Sequence, residues 1–144
     1  MSRHDPLRGS RFRVEIDGIA AAAFSEVEIG ATTTDIIEYR EGTDPLHLRK
    51  LPGLTRFGNV VLRRGVTTSL ELVQWQRQVI AGQFGASRRN VVIVLEDDTG
   101  ADLLRFVVTD AWPAKIGTSR LDAGSSEVLI ESLELANEGI ERVA

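Results

Sequence analysis

Hydrophobic and polar residues alternate with a period of two over much of this chain, which is the pattern of half-buried β-strands. The clearest example is residues 11–17, where apolar side chains occupy every second position and charged ones lie between them. Residues 24–29 repeat the pattern and predict a second strand. The alanine-rich residues 20–23 show no such alternation, and they fit either a turn or a short helical piece.

A β-hairpin is predicted in the second half of the chain. Residues 90–95 form a continuous apolar run, which is typical of a central strand. Residues 96–100 carry the Asp and Gly side chains of a turn. Residues 103–108 return as the second strand of the hairpin, and residues 110–113, which include a proline, are expected to end it.

A loop and a last strand are predicted near the C-terminus. Residues 116–126 have the composition of a loop, with its tip at residues 122–125. Residues 128–135 alternate again and predict the final strand. Its inward positions are expected to be Leu129, Leu133 and Leu135, and its more exposed positions Glu131 and Glu134.

One helix is predicted, over residues 67–82. Thr68 and Glu71 have the T-x-x-E spacing of a capping box, in which each side chain accepts a hydrogen bond from a free N–H group at the helix start. Gly82 or Gly85 suits the C-terminal end. The apolar stripe expected to pack on the sheet consists of Leu72, Val73, Val79 and Ile80. Trp75 flanks this stripe and fits the core and an interface equally well.

Residues 33–65 predict an extended arm. Alternating residues on both sides of the turn-rich residues 41–45 indicate a β-hairpin. Pro52 and Gly53 are expected to bend the chain a second time, and residues 57–64 form a third extended run. A monomer gains little from an arm that buries so little of itself. We therefore expect residues 35–50 to join adjacent subunits.

The order of these elements defines the fold class. Strands with one helix, and without alternation of strands and helices, predict a mainly β protein: two packed antiparallel sheets forming a β-barrel with one flanking α-helix and the hairpin arm. The whole chain, residues 1–144, is expected to be one domain. Its first ten residues are polar and are expected to form a flexible N-terminal segment.

The composition of the chain argues against several classes of function. The 144 residues are 42% hydrophobic and 26% charged, and 17 basic against 21 acidic residues give a net charge of −4. This balance argues against nucleic-acid binding as the main task. The absence of cysteine excludes disulfides and thiol chemistry. Because neither a signal peptide nor an apolar run of membrane-spanning length is visible, we expect synthesis in the cytosol and no membrane insertion.

Candidate chemistry is sparse. His4 lies in the N-terminal segment and His47 on the arm, where the sequence places neither a carboxylate nor a nucleophile beside it. The Asp97–Asp98 pair is interpreted as a turn feature, because turns favour Asp for backbone reasons. The motifs of common nucleotide-binding, metal and hydrolase sites do not occur. The sequence therefore predicts a protein that is not an enzyme, with no cofactor and no metal.

Three stretches resemble a known family, the tail-tube proteins of contractile phage tails and phage-tail-like injection systems. They are residues 8–30 (RGSRFRVEIDGI…AFSEVEIG), residues 37–67 (IEYREG…HLRKLPGLTRFGNVVLRRGVT) and residues 111–141 (AWPAKI…EVLIESLELANEGIE). The resemblance implies hexameric rings of this chain, stacked into a hollow tube. It further implies a contractile sheath around the tube, a baseplate or spike hub, a terminating cap, and DNA or effector cargo in the lumen. Assembly in the bacterial cytoplasm, into a phage tail or an injection particle, follows from the same resemblance.

Two sets of site residues follow for such a tube. The subunit-interface set combines residues of the hairpin with a basic pair near the end of the predicted arm: Tyr39, Arg40, Glu41, Leu46, Leu48, Arg49, Lys50, Arg63 and Arg64. The lumen set consists of acidic residues on polar strand faces: Glu15, Asp17, Glu26, Glu28 and Glu131. For each acidic residue the competing interpretation is a solvated outer face. For Arg63–Arg64, and for the second basic pair Arg88–Arg89, it is a solvated strand end.

Two other functions remain open from the sequence. A ring-forming type VI secretion tube or chaperone-like protein is similar in fold, although residues 49–54 (RKLPGL) and 133–139 (LELANEG) resemble the phage-type branch more closely. A small β-barrel enzyme is the third alternative. A ring or a tube in solution would favour the first two functions, and a strict monomer the third.

Overall fold

The computed structural model describes residues 11–43, 45–119, 123–124 and 129–144. The predicted flexible segment, residues 1–10, lies outside them. In the described residues the chain forms ten strands and two helices. They are β1 (Arg11–Ile16), β2 (Ile19–Phe24), β3 (Glu26–Ile29), β4 (Thr32–Tyr39), β5 (Arg49–Phe57), β6 (Val60–Gly65), α1 (Glu71–Ile80), α2 (Phe84–Ser87), β7 (Arg89–Glu96), β8 (Asp102–Thr118), β9 (Ile130–Ala136) and β10 (Gly139–Arg142).

The fold is mainly β and antiparallel, as predicted. One large sheet has the strand order β2-β1-β7-β8-β9-β6-β3, and β10 adds to it by pairing with β8. The arm strands β4 and β5 form a separate two-stranded sheet. The apolar run at residues 90–95 lies within β7, between β1 and β8, which confirms its central position.

Strand β8 joins the two halves of the large sheet. Its first part pairs with β7 as far as Ala111, and its second part pairs with β9 from Trp112 onward. Between them Asp110 has a positive φ of 50° and the register with β7 shifts, so the strand kinks without ending. The predicted break at residues 110–113 is therefore wrong. Residues 116–118 belong to β8 and not to a loop, while residues 122 and 125 of the predicted loop tip lie outside the described residues.

The alanine-rich residues 20–23, predicted as a turn or helical piece, form part of strand β2. A single residue, Ser25, separates β2 from β3, although these two strands stand at opposite ends of the strand order. The Ser25 amide donates a hydrogen bond to the Arg63 carbonyl of β6 at 3.0 Å. Because the chain passes from one end of the sheet order to the other in one residue, the sheet curls back on itself there.

The core lies between the curled sheet and helix α1. Buried side chains from β1, β2, β6, β7, β8 and β9 form one cluster with Leu72 and Trp75 of the helix. The indole N–H of Trp75 donates to the Ser87 carbonyl at 2.6 Å, so its single polar atom is satisfied. Trp75 is thus a core residue, which decides between the two interpretations that the sequence left open.

Helix α1 differs from its prediction at both ends. It begins at Glu71, and the predicted capping box is wrong, because the Glu71 carboxylate accepts a hydrogen bond from the Ala20 amide at 2.9 Å. Ile80, expected in the buried stripe, is 77% exposed. Gly82 follows the helix with a φ of 78°, which confirms it as the terminating residue. None of the described helices has the length and apolar character needed to cross a bilayer.

Candidate interaction site on the arm

The arm of this protein is the β4–β5 hairpin with its connecting loop. Thr32 pairs with Phe57 at its base and Tyr39 with Arg49 at its far end. Within the described residues, each arm strand pairs only with the other, so the outer edge of each is open. Open strand edges are sites at which another chain can add a strand. The third extended run is not part of this hairpin, because β6 lies in the large sheet with Val60 and Leu62 buried.

Pro52 and Gly53 lie inside strand β5, so the predicted second bend is wrong. Instead, the register of the hairpin shifts between Thr34 and Ile36, which gives β5 one extra residue. A Cβ on Gly53 would come within 3.2 Å of the Ile37 side chain. A side chain at position 53 would therefore crowd the bulge. Pro52 has no N–H to donate, and an edge strand tolerates it because no neighbouring strand requires that hydrogen bond.

Polar contacts hold the two strands in register. The Arg56 guanidinium binds the Asp35 carboxylate through two hydrogen bonds of 2.7 and 2.9 Å. The hydroxyls of Thr34 and Thr55 lie 3.0 Å apart, on the opposite face. At the far end the Arg49 guanidinium lies over the Tyr39 ring, 5.5 Å from its centroid. Exposed pairs of this kind contribute only about 0–1 kcal/mol each, so they set geometry more than stability.

Apolar side chains are exposed on both faces of the arm. Ile36 and Ile37 are adjacent and therefore point to opposite faces, yet they are 64% and 51% exposed. Leu46 in the connecting loop is 95% exposed. Half of the large hydrophobic residues that are exposed in the described chain lie on this one hairpin: Ile36, Ile37, Leu46, Leu48, Leu51 and Leu54. Alternation of apolar and charged residues along the arm predicts one apolar and one charged face, whereas the structure gives the arm apolar side chains on both faces.

Two glycines fix the base of the arm where it leaves the large sheet. A Cβ on Gly30 would lie 2.5 Å from the Asn59 carbonyl oxygen, and one on Gly58 would lie 2.9 Å from the Ala31 amide. The Gly58 amide donates to the Ala31 carbonyl at 2.9 Å. Only glycine permits two backbones to cross this closely. The sequence analysis did not predict this crossing. A glycine just before the first strand of a hairpin and another just after its second strand are an indication that the two backbones approach closely.

The predicted interface residues fall into two groups. Tyr39, Arg40, Glu41, Leu46, Leu48, Arg49 and Lys50 all lie on the arm or its loop. Arg63 and Arg64 lie on β6. Arg63 is partly exposed, 3.5 Å from Glu26. Leu46 and Leu48 lie in the connecting loop and not on a strand as expected, and the Arg40 guanidinium closes that loop by donating to the Pro45 carbonyl at 2.9 Å.

Arg64 has its partners within the subunit. Its guanidinium lies 3.0 Å from the Glu131 carboxylate, and both side chains are 11% exposed. It also stacks over the Phe24 ring, 5.0 Å from the centroid. The expectation that Glu131 is one of the more exposed residues of its strand is therefore wrong: it shares the buried face of β9 with Leu133 and Leu135.

The other acidic candidates are accessible. Asp17, Glu26 and Glu28 are exposed, and Glu15 is half-buried beside Arg13, at 3.1 Å. Hydrogen bonding to Glu15, together with the neighbouring carboxylates, raises the pKa of Arg13. That these four acidic side chains face the lumen of a tube stays a prediction.

Asp97, Arg88 and Arg89 have structural partners within the subunit. The Asp97 carboxylate accepts hydrogen bonds from the Thr99 hydroxyl and amide and from the Ala101 amide, and the Thr99 hydroxyl is the main reason that the pKa of Asp97 is lowered. Arg89 stacks over Trp75, and Arg88 pairs with Glu138. Across the described ranges, no three His, Asp or Glu side chains come together in a group that could hold a metal ion.

Comparison with known proteins places this arrangement in a family. The family model described as T4-like virus tail tube protein gp19 matches residues 8–141. The chain belongs to this tail tube family. A comparison with curated protein sequences finds no match.

Solved structures of other tail tube and injection-system proteins are similar over nearly the full length. A chain of the PVC extracellular contractile injection system, solved as a sheath–tube complex in the extended state, is 26% identical with a TM-score of 0.81, and the match covers 98% of this chain and 93% of that one. A chain of the anti-feeding prophage baseplate is 25% identical with a TM-score of 0.77, covering 99% and 98%. Hcp1 from Flavobacterium johnsoniae, at 18% identity and a TM-score of 0.56 over 92% and 94%, shares the fold alone.

Proposed function

We propose that this tail tube protein assembles into hexameric rings that stack as the inner tube of a contractile tail or injection system. The observation that carries the proposal is the arm, a hairpin with apolar side chains exposed on both faces and two open edges. Isolated two-stranded hairpins are marginally stable in water, so neighbouring subunits are needed to cover this one. Membership in the tail tube family supports another copy of the chain as that neighbour.

The subunit body is proposed to be a closed β-barrel with α1 on its flank. The single-residue link at Ser25 between the two ends of the strand order supports closure. A closed barrel has no internal edges, which leaves the arm as the main site for strand addition. The function of residues 33–57 is then to connect rings or neighbours within a ring, with Tyr39, Leu46 and Leu48 as apolar anchors.

Glu15, Asp17, Glu26 and Glu28 are proposed to face the lumen of the tube. Their accessibility and the net charge of −4 support an acidic wall. Like charges repel within a Debye length of about 8 Å at physiological salt, so DNA or an acidic effector would not adhere to such a wall during passage. Glu131 is not included, because its carboxylate is paired with Arg64 inside the subunit.

The partners proposed for this chain are a contractile sheath, a baseplate or spike hub, a terminating cap, and DNA or effector cargo in the lumen. The related PVC and anti-feeding prophage structures, which are a sheath–tube complex, a baseplate and a tube-terminating cap, support the first three. We propose assembly in the bacterial cytoplasm and no catalytic activity. Turnover of a hydrolase substrate that is lost in His47→Ala would contradict the last point.

Self-assembly gives the direct test of the proposed function. The purified chain, at concentrations in the range of tens of micromolar or higher, is expected to elute from size-exclusion chromatography with light scattering as hexamers or larger species. Association strengthens with protein concentration by mass action, so a concentration series separates weak assembly from none. A monomer at every concentration would contradict the proposal.

A further inference from the structure

We propose that Leu46 at the tip of the arm inserts into a cavity beside strand β2 of a second copy of the chain. The inference rests on the proposed assembly and adds the surface that receives the arm. The donor and the acceptor are both present on every subunit. A contact between them is therefore heterologous, and such contacts repeat into rings or filaments.

The tip of the arm presents Leu46 as an isolated knob. Its side chain is 95% exposed, directly after Pro45, whose ring fixes its own backbone φ. The hydrogen bond from the Arg40 guanidinium to the Pro45 carbonyl, 2.9 Å long, ties this part of the loop to the end of strand β4. A leucine side chain exposed to this extent adds no buried apolar area to its own subunit, so it is available to a second copy of the chain.

The acceptor is a cavity of about 250 Å3 between strand β2 and the start of helix α1. Its floor is apolar and buried, formed by Ile16, Phe24 and Leu72. Its wall includes Ala21 and Ala22, whose small side chains leave the space open. A cavity of about 150 Å3 accommodates benzene, which has six carbons, so this one can hold the four carbons of a leucine side chain.

The cavity exists because strand β2 separates from strand β6. The Ser25 amide still bonds to the Arg63 carbonyl at 3.0 Å, but five residues earlier the Ala20 amide bonds instead to the Glu71 carboxylate at 2.9 Å. A wedge therefore opens between the two strands. It lies at the seam where the two ends of the strand order meet, beside strand β2.

The charges around the two surfaces are complementary. At the cavity the Arg64 guanidinium is neutralised by Glu131, which leaves the Glu71 carboxylate as the unbalanced charge of the lining. On the arm, Leu48 is followed by two cations, Arg49 and Lys50. An apolar knob in an apolar pocket with charged residues around it is the usual anatomy of an interface hot spot.

The absence of cysteine in the chain allows a direct proximity test. Leu46→Cys and Ala21→Cys are made in separate chains, mixed, allowed to assemble and treated with a short bifunctional thiol cross-linker. A covalent dimer containing one chain of each kind is expected. The control replaces Ala21→Cys by Asp98→Cys, which lies in an exposed turn, and it is expected to give no such dimer. Assemblies that form without the Leu46–Ala21 cross-link would overturn the inference and leave the proposed function intact.

A second variant decides the matter if Leu46→Cys itself prevents assembly. Ala21→Trp fills the cavity without changing the arm, and the matched control Ala101→Trp adds the same ring to an exposed turn. The first is expected to be folded by circular dichroism but unassembled, and the second to assemble like the unaltered chain. Normal tubes from Ala21→Trp would overturn the inference. An unaltered chain that never assembles would overturn the inference and the proposed function together.

Discussion

The Arg64 guanidinium and the Glu131 carboxylate lie 3.0 Å apart within the subunit, and each side chain is only 11% exposed. Arg64 also covers the Phe24 ring, so the pair seals one side of the core between β6, β9 and β2. Strand pairing explains their proximity, because Arg64 and Glu131 are directly opposite each other in the β6–β9 register. Two charges that looked like surface features are thus part of the scaffold.

Removing one partner of this pair should destabilise the subunit. Glu131→Ala leaves the Arg64 cation largely buried without its carboxylate, which typically costs about 3–5 kcal/mol for a buried pair. The control is Glu26→Ala, which breaks the exposed contact with Arg63 and should cost about 0–1 kcal/mol. Urea unfolding followed by circular dichroism measures both free energies of unfolding. Equal losses in the two variants would show that the Arg64–Glu131 pair is not structural.

Helix α1 offers a matched pair of charge insertions. Leu72 is buried in the core and Ile80 is 77% exposed on the same helix. Leu72→Asp should unfold the subunit, because a buried unpaired charge costs several kcal/mol, whereas Ile80→Asp should change stability by less than about 0.5 kcal/mol. The half-buried Val73 should give an intermediate loss in Val73→Asp. Thermal unfolding orders the three variants, and a folded Leu72→Asp protein would refute the position of the helix.

The crossing at the base of the arm predicts a strong effect of a single methyl group. Gly30→Ala places a Cβ 2.5 Å from backbone atoms of residues 58 and 59, so the chain must shift, and we expect a loss of about 1–3 kcal/mol. Gly85→Ala is the control, because nothing lies within 4 Å of its added Cβ. That variant should be neutral or slightly more stable. A Gly30→Ala protein as stable as the Gly85→Ala protein would argue against the close crossing.

The arm should be required for assembly but not for folding. Leu48→Asp introduces a charge at an exposed apolar position of the arm loop, and replacement of residues 41–46 by a short Gly-Ser turn removes the loop tip. Both proteins are expected to keep the circular dichroism spectrum of the unaltered chain and to lose rings and tubes. Ile80→Asp, at an exposed apolar position of helix α1, is the matched control and should assemble. An unfolded Leu48→Asp protein would show instead that the arm belongs to the core.

Much of the sheet could be predicted from alternation because each strand has one face in the core and one in solvent. Residues 11–17 alternate, and β1 forms over Arg11–Ile16 with Val14 and Ile16 buried. The apolar run at residues 90–95 forms the central strand β7. Strand β2 was missed because alanine fits either face and gives no period of two. Strand β10 was not predicted because it has only four residues, too few to show a clear alternation, and it lies after residue 135, where the last strand was predicted to end.

The interface and the acidic residues show where local patterns fail. Pro52–Gly53 signals a bend in isolation, but an arm with open edges can absorb both residues in a bulged strand. Asp110 and Pro113 signal a break, but β8 continues because β7 and β9 pair with its two halves in turn. Glu131 was expected to be exposed because it is charged, although alternation puts it on the same face as Leu133 and Leu135; its pairing with Arg64 across β6 and β9 is what allows it to be buried. In each case long-range pairing decided the outcome.

Cryo-electron microscopy of the purified, unaltered chain tests the central claim most directly. The account predicts hollow rings or tubes with six subunits around the axis, in which the β4–β5 arm of each subunit lies against a neighbouring copy and Glu26 and Glu28 line the channel. Particles in which the arm contacts no other subunit would contradict the account, as would a preparation that contains only monomers.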